Sequence, residues 1–137
     1  MDRICKILIV EDDDAVRRVI GDVLDYAGYD FTLASSGAEM RRALDAEDFD
    51  VAIIDVALRD GEDGFALAEV ADAKGCGVIL TTGDPDRRRR LEKSSRRHLM
   101  KPFRLQQLTE LVEHVLKDQA ALCAPRPRDN SSLPAQA

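Results

Sequence analysis

The sequence predicts an α/β protein: a doubly wound, three-layer (βα)5 sandwich around a five-stranded parallel sheet. Three observations predict it. Short apolar runs of strand length recur along the chain, and the strongest are rich in Val and Ile. Helical patterns with one apolar stripe lie between them. The resulting order, strand then helix five times over, suits a sheet covered on both faces through right-handed crossovers.

The first strand is Lys6–Val10, followed by a helix over 15–27. There Val16, Val19, Ile20, Val23 and Leu24 fall at i, i+3, i+4, i+7 and i+8, one stripe. Asp14 is its expected N-cap, Asp13 a solvated acid, and Gly28 the C-terminal stop. A weaker strand over 31–34 leads to a helix over 36–46. It opens on the capping pattern Ser36-x-x-Glu39 and carries Met40, Ala43 and Leu44 on one face. The third unit pairs a strand over 51–54 with a helix, Gly64–Ala73, presenting Phe65, Leu67, Ala68 and Val70. The fourth pairs 78–80 with a basic helix over 85–93, Pro85 standing in its first turn. The last strand is His98–Met100. Its helix, over 104–119, has the clearest stripe: Leu105, Leu108, Leu111, Val112, Val115 and Leu116. Periodicity then ends in "CAPRPRDNSSLPAQA", so residues 1–120 form one domain and 121–137 a flexible tail.

Composition narrows the function. The 137 residues fit one domain, and their 45% hydrophobic content fills one core. Trp is absent and aromatics are few, so that core is Val, Ile, Leu and Ala. No run reaches the roughly 20 apolar residues of a membrane span, and the N-terminus lacks a secretory layout. A cytoplasmic protein that touches no membrane is expected. Cys5, Cys76 and Cys123 are odd in number, far apart and without a CxxC pair. That argues against a disulfide framework and a zinc site, and makes Cys5 and Cys76 buried free thiols. The net charge of −6 opposes non-specific nucleic-acid binding. Residues 87–104 are the exception, with nine Lys or Arg against one acid, Glu92. Charge runs are usually solvated faces; this one is also suited to an acidic partner or a charge-paired homodimer. No helix-turn-helix follows residue 120, so direct DNA binding is not expected.

The chemistry concentrates at the strand ends. "ILIVEDDD", residues 7–14, runs a buried strand into four consecutive carboxylates, which repel one another at contact distance. Alone, such a cluster reads as a helix N-terminus favoured by the dipole. In open α/β sheets, however, ligands bind outside the carboxyl ends of the strands. This chain has Glu11 and Asp12 after the first strand and Asp55 at the end of the third. Thr81 and Thr82 end the fourth, and Lys101 follows the fifth. A small hard cation would compensate three converging acids, and oxygen ligands suit Mg²⁺. A lysine opposite can neutralise one acid or a phosphoryl oxygen.

In these motifs, "ILIVEDD", "IIDVAL…DG", "VILTTG" and "HLMKPF", the chain resembles the receiver domain of bacterial two-component response regulators over residues 4–120. The resemblance implies a flavodoxin-like strand order 2-1-3-4-5 and a role for each matching residue. Asp55 is the implied phosphoacceptor, charged by a histidine kinase or histidine phosphotransfer protein. Asp12 and Asp55 are implied direct Mg²⁺ ligands, with Glu11 through water, the Ala57 backbone carbonyl as a further ligand, and Mn²⁺ able to substitute. Thr81, with Thr82 beside it, supplies the switch hydroxyl, Lys101 pairs with the phosphoryl group, and His98 stands at the switch position. The output is exerted by the face of the fourth helix, fifth strand and fifth helix on another protein. The chain is expected to be a stand-alone receiver, and Met1 and the tail favour a complete short product.

Two departures stand out. The loop "DVALRDGEDG" is one residue longer before Gly64 than the common receiver pattern and lacks its proline; Gly61 and Gly64 absorb the extra residue in a turn. His98 replaces the more usual Tyr or Phe. Three alternatives compete. A receiver that has lost phosphorylation would merely bind. An aspartyl-phosphate hydrolase needs a second acid two residues after the nucleophile, where Ala57 stands. A flavin or dinucleotide binder needs a glycine-rich turn after the first strand, where the acids would repel a pyrophosphate.

Overall fold

The computed structural model describes residues 3–127. Strands β2 (Lys6–Val10), β3 (Asp30–Ala34), β4 (Val51–Asp55), β5 (Gly77–Thr82) and β6 (His98–Met100) form one parallel sheet in the order β3-β2-β4-β5-β6. Numbered within this sheet alone, that is 2-1-3-4-5. Side-chain alternation along the strands divides the core in two. Leu8, Val10, Ala52, Ile54 and Leu80 face α2 (Gly37–Ala46), α3 (Gly64–Ala73) and α4 (Arg88–Lys93), meeting Met40, Leu67 and Leu91. Ile7, Ile9, Val51, Ile53 and Ile79 face α1 (Asp14–Tyr26) and α5 (Leu105–Asp118), meeting Ile20, Leu24, Leu108 and Val112. All five residues of β4 are buried, as befits the strand between two neighbours under helices on both faces.

Local chemistry sets the helix ends. Asp13, not Asp14, is the N-cap of α1: its side chain accepts from the Val16 N–H, while Asp14 is the first helical residue and pairs with Arg17. Three aspartates in a row, Asp12 to Asp14, are all competent caps, so the sequence could not choose among them. Gly28 takes φ +95° just beyond the helix, as a stop residue should. Ser36 caps α2 through the Glu39 N–H, but the Glu39 carboxylate turns to the backbone and hydroxyl of Ser35. The basic segment begins as a 3₁₀ turn, Pro85–Arg87, before α4.

The chain ends overturn two expectations. Cys5 is no free thiol; it is disulfide-bonded to Cys123 across 118 residues of sequence. A two-residue parallel ladder of β1 (Arg3–Ile4) with β7 (Cys123–Ala124) brings the two sulfurs together, which no cysteine spacing reports. Cys76 alone is free and buried, and burial pushes its thiol up to about 11. Nor do residues 121–127 behave as a tail without structure: they run back across the end of α1, with the Arg126 N–H on the Gly28 carbonyl at 2.7 Å. Residues 128–137 of that expected tail lie outside the described residues.

Candidate functional site: an acidic crevice at the strand ends

Three loops converge at the carboxyl ends of β2, β4 and β6. Glu11, only 2% exposed, ends the run out of β2, and Asp55, 6% exposed, closes β4. Carboxylate oxygens of Glu11, Asp12 and Asp55 all lie within 4.8 Å of one another. Lys101 reaches in from beyond β6 and bonds two of them, Asp55 Oδ2 at 2.8 Å and Glu11 Oε1. The other Asp55 oxygen, Oδ1, accepts the Ala57 N–H at 2.8 Å. Asp12 accepts the Arg59 N–H at 2.7 Å, tying the first acidic loop to the loop after β4. Arg17 donates to the Glu11 carbonyl and so fixes the turn into α1.

The electrostatics follow from burial and crowding. Burial pushes the Glu11 carboxyl up to about 7; Lys101 pulls it back, and Asp55 beside it adds to the rise. Burial alone would lower Lys101, but the carboxylates of Asp55 and Glu11 hold it above its ordinary value. One ammonium is shared between two acids, and the third, Asp12, has only the largely exposed Arg59 guanidinium at 3.7 Å, so positive charge is scarce in the buried part of the cluster. Such a nest favours a cation or the positive side of a polar ligand.

Of the sequence-predicted residues, the fold unites Glu11, Asp12, Asp55 and Lys101. Thr81 stands beside Asp55 in the β4–β5 register and is 1% exposed. Thr82 is buried too, but its hydroxyl is engaged with the Asp84 N–H at 3.1 Å, and its carbonyl accepts the Lys101 N–H. His98 stands further out, half-buried in β6, with Nδ1 3.0 Å from the Arg96 carbonyl. The long loop after Asp55 is closed by a bridge between Ala57 and Asp63, and its turn uses Gly61 at φ +82°. Gly64 was legible only as a turn residue. Its larger task is close approach, since a Cβ there would lie 2.5 Å from Val56 Cα.

The basic run is less basic than its composition. Arg87 pairs with Asp84, Arg88 with Glu92, Arg90 with Asp63, Arg96 with Asp72 and Arg97 with Asp118. Arg90 also stacks over the Phe65 ring at 3.9 Å. Three of these partners, Asp63, Asp72 and Asp118, are distant in sequence, and the other two lie within one helical turn. None of the helices among the described residues is long and apolar enough to cross a membrane.

Known proteins resemble this chain in sequence and in fold. The family model of the response regulator receiver domain matches residues 7–113. The transcriptional regulatory protein GltR of Pseudomonas aeruginosa is 34% identical over 118 residues, 81% of this chain and 48% of the relative. The aerobic respiration control protein ArcA of Escherichia coli is 32% identical over 114 residues, 80% of this chain and 48% of its own. This chain thus spans about half the length of those curated relatives. Among solved structures, a CheY-like receiver domain protein of Methanospirillum hungatei superposes with a TM-score of 0.75 at 27% identity, covering 85% of this chain and 97% of the other. With the crevice, the strand order and the family match in agreement, the chain belongs to the response regulator receiver domain family.

Proposed function

We propose that this protein is a phospho-accepting switch: Asp55 takes a phosphoryl group from a phosphohistidine on a histidine kinase or histidine phosphotransfer protein. One observation carries the reading. Lys101 Nζ bridges Asp55 and Glu11 at the strand ends, with Asp12 completing an oxygen cluster inside 4.8 Å. The Ala57 N–H and Lys101 each hold one oxygen of Asp55, orienting the carboxylate. An Asp55 oxygen attacks phosphorus; the O–P bond forms as the N–P bond breaks, and the leaving imidazole takes up a proton. Phosphoryl transfer depends chiefly on such positioning and charge neutralisation.

The donor set fits Mg²⁺, being all oxygen, anionic and tightly clustered. Asp12, Asp55 and the Ala57 carbonyl would hold it, with Glu11 through water, and Mn²⁺ would serve as well. Bound there, it would offset charge on the phosphoryl oxygens. Lys101 then exchanges a carboxylate partner for a phosphoryl oxygen, and the Thr81 hydroxyl, one strand over, donates to another. Loss of the Thr82–Asp84 contact as that loop moves inward, and turning of His98, would carry the change to α4, β6 and α5. The downstream protein binds there in the cytoplasm, without DNA contact by this domain. Hydrolase turnover is disfavoured, because Ala57 brings no second carboxylate to Asp55.

Incubation with acetyl phosphate and MgCl₂, followed by intact mass measurement, tests the proposal. One phosphoryl adduct is expected, absent in Asp55→Asn. A folded wild-type protein that takes up neither cation nor phosphoryl group would mark a receiver that only binds.

A further inference from the structure

The second feature of this molecule lies at the opposite end of the sheet. Residues 121–127 form a strap over the C-terminal end of α1. Its anchors are the β1–β7 ladder, the Cys5 N–H on the Ala124 carbonyl at 3.0 Å, the Arg126 N–H on the Gly28 carbonyl, and the guanidinium of Arg126 on Asp25 and Asp30. Gly28 allows the approach: a Cβ there would lie 2.7 Å from the Arg126 carbonyl oxygen. The strap forms the third wall of a groove of about 770 Å³ between α1 and α5, lined by Val23, Tyr26, Leu105, Gln106, Pro125 and Arg126.

We propose that the Cys5–Cys123 disulfide is a thiol-exchange site, and that its state decides whether this strap stays docked and the groove keeps its wall. Without the covalent bond, the remaining anchors are weak. A two-residue ladder is too short to stand alone, and exposed ion pairs such as those of Arg126 contribute little. Access is one-sided. Cys5 is 1% exposed inside the core, whereas Cys123 is half-buried. A dithiol reductant therefore attacks the Cys123 sulfur. The S–S bond breaks, Cys5 leaves as thiolate and takes a proton, and a mixed disulfide forms on Cys123. The second thiol of the reductant closes its own disulfide and releases Cys123 as a thiol. Two electrons and two protons pass to the protein. The freed strap uncovers the end of α1 and opens the groove toward Tyr29, now 3% exposed. Any partner seated between α1 and α5 then meets a different surface in the two redox states.

Hydrogen exchange of the full chain, read by mass spectrometry with and without dithiothreitol, tests this. Reduction should lower the protection of the Cys5 and Arg126 amides about tenfold or more, while the β4 and β5 amides keep theirs. Cys76 is no disulfide partner, so dithiothreitol acts only on this bond. Cys123→Ser should show the reduced pattern without reductant; should that variant misfold, the wild-type comparison decides. Unchanged protection in protein whose Cys5 and Cys123 both react with alkylating reagent after reduction overturns the proposal. So does finding both thiols free in protein prepared without reductant.

Discussion

Two buried carboxylates at opposite ends of one sheet meet basic side chains with opposite results. Asp50, just before β4, receives both terminal nitrogens of Arg3 at 2.8 and 2.6 Å and the Lys6 N–H at 2.8 Å. Burial pushes its carboxyl up, but these donors outweigh burial and hold it below its ordinary value. Glu11, just after β2, shares one lysine with Asp55 and receives the Asp13 N–H at 3.3 Å, and its carboxyl is driven up to about 7. The difference lies in dedicated against shared donors. Asp50 is satisfied and has nothing left to bind. The Glu11 cluster is left short of positive charge, which is how a fold keeps a site ready for a ligand.

The contrast breaks most visibly by removing each cation in turn. Lys101→Met should slow adduct formation from acetyl phosphate by about 10²–10³-fold, the range for losing a preorganised charge partner. Arg3→Met should leave that rate unchanged, although the protein melts earlier. Equal losses in a rate assay on folded variants would mean that the two ends are not functionally distinct.

The end that carries Asp50 is also the stapled end. In the chain-entropy picture, closing a loop as long as the 118-residue separation of Cys5 and Cys123 stabilises by roughly 5 kcal/mol. Urea unfolding with and without dithiothreitol should show that loss, with acceptor chemistry retained wherever the protein remains folded. Asp50→Asn should cost less, about 1–3 kcal/mol. Arg3 is 59% exposed, and its charge regains water once freed. A neutral result would put the stability of this end in the ladder and the disulfide alone.

The two ends also differed in how far the sequence revealed them. The crevice was legible because its residues sit where strand-end logic puts them: Glu11, Asp12, Asp55 and Lys101 each follow a recognisable strand. The five sheet strands were legible for the same reason, from β-branched runs read against helical stripes. What escaped depends on partners distant in sequence. Arg3 finds Asp50 and Cys5 finds Cys123 only after the sheet has assembled, and Arg96 and Arg97 lose their free charge to Asp72 and Asp118. Asp13 took the cap from Asp14 because one-residue choices among equivalent acids rest on backbone geometry. A short strand such as β7, without periodicity, leaves almost no pattern to read.

The finest test uses pH, because the two carboxylates act with opposite sign. Glu11 has a folded value raised from 4.5 to about 7, so the folded state holds its proton more tightly than the unfolded chain. Its contribution therefore falls as pH rises from about 4.5 to about 7 and is constant beyond. Asp50 has a folded value below its ordinary 3.8, so its stabilisation is present above that value and is lost only as pH falls through the folded one. Between pH 4.5 and 7 the slope belongs to Glu11, and Glu11→Gln should flatten it relative to wild type in paired urea titrations. Magnesium chloride should weaken the same slope in wild type, because a cation binds the ionised carboxylates and leaves the protonated form behind. Parallel curves for wild type and Glu11→Gln would show that the crevice accommodates its charge as completely as the Arg3–Asp50 pair does, and the distinction between a satisfied end and a poised end would fall.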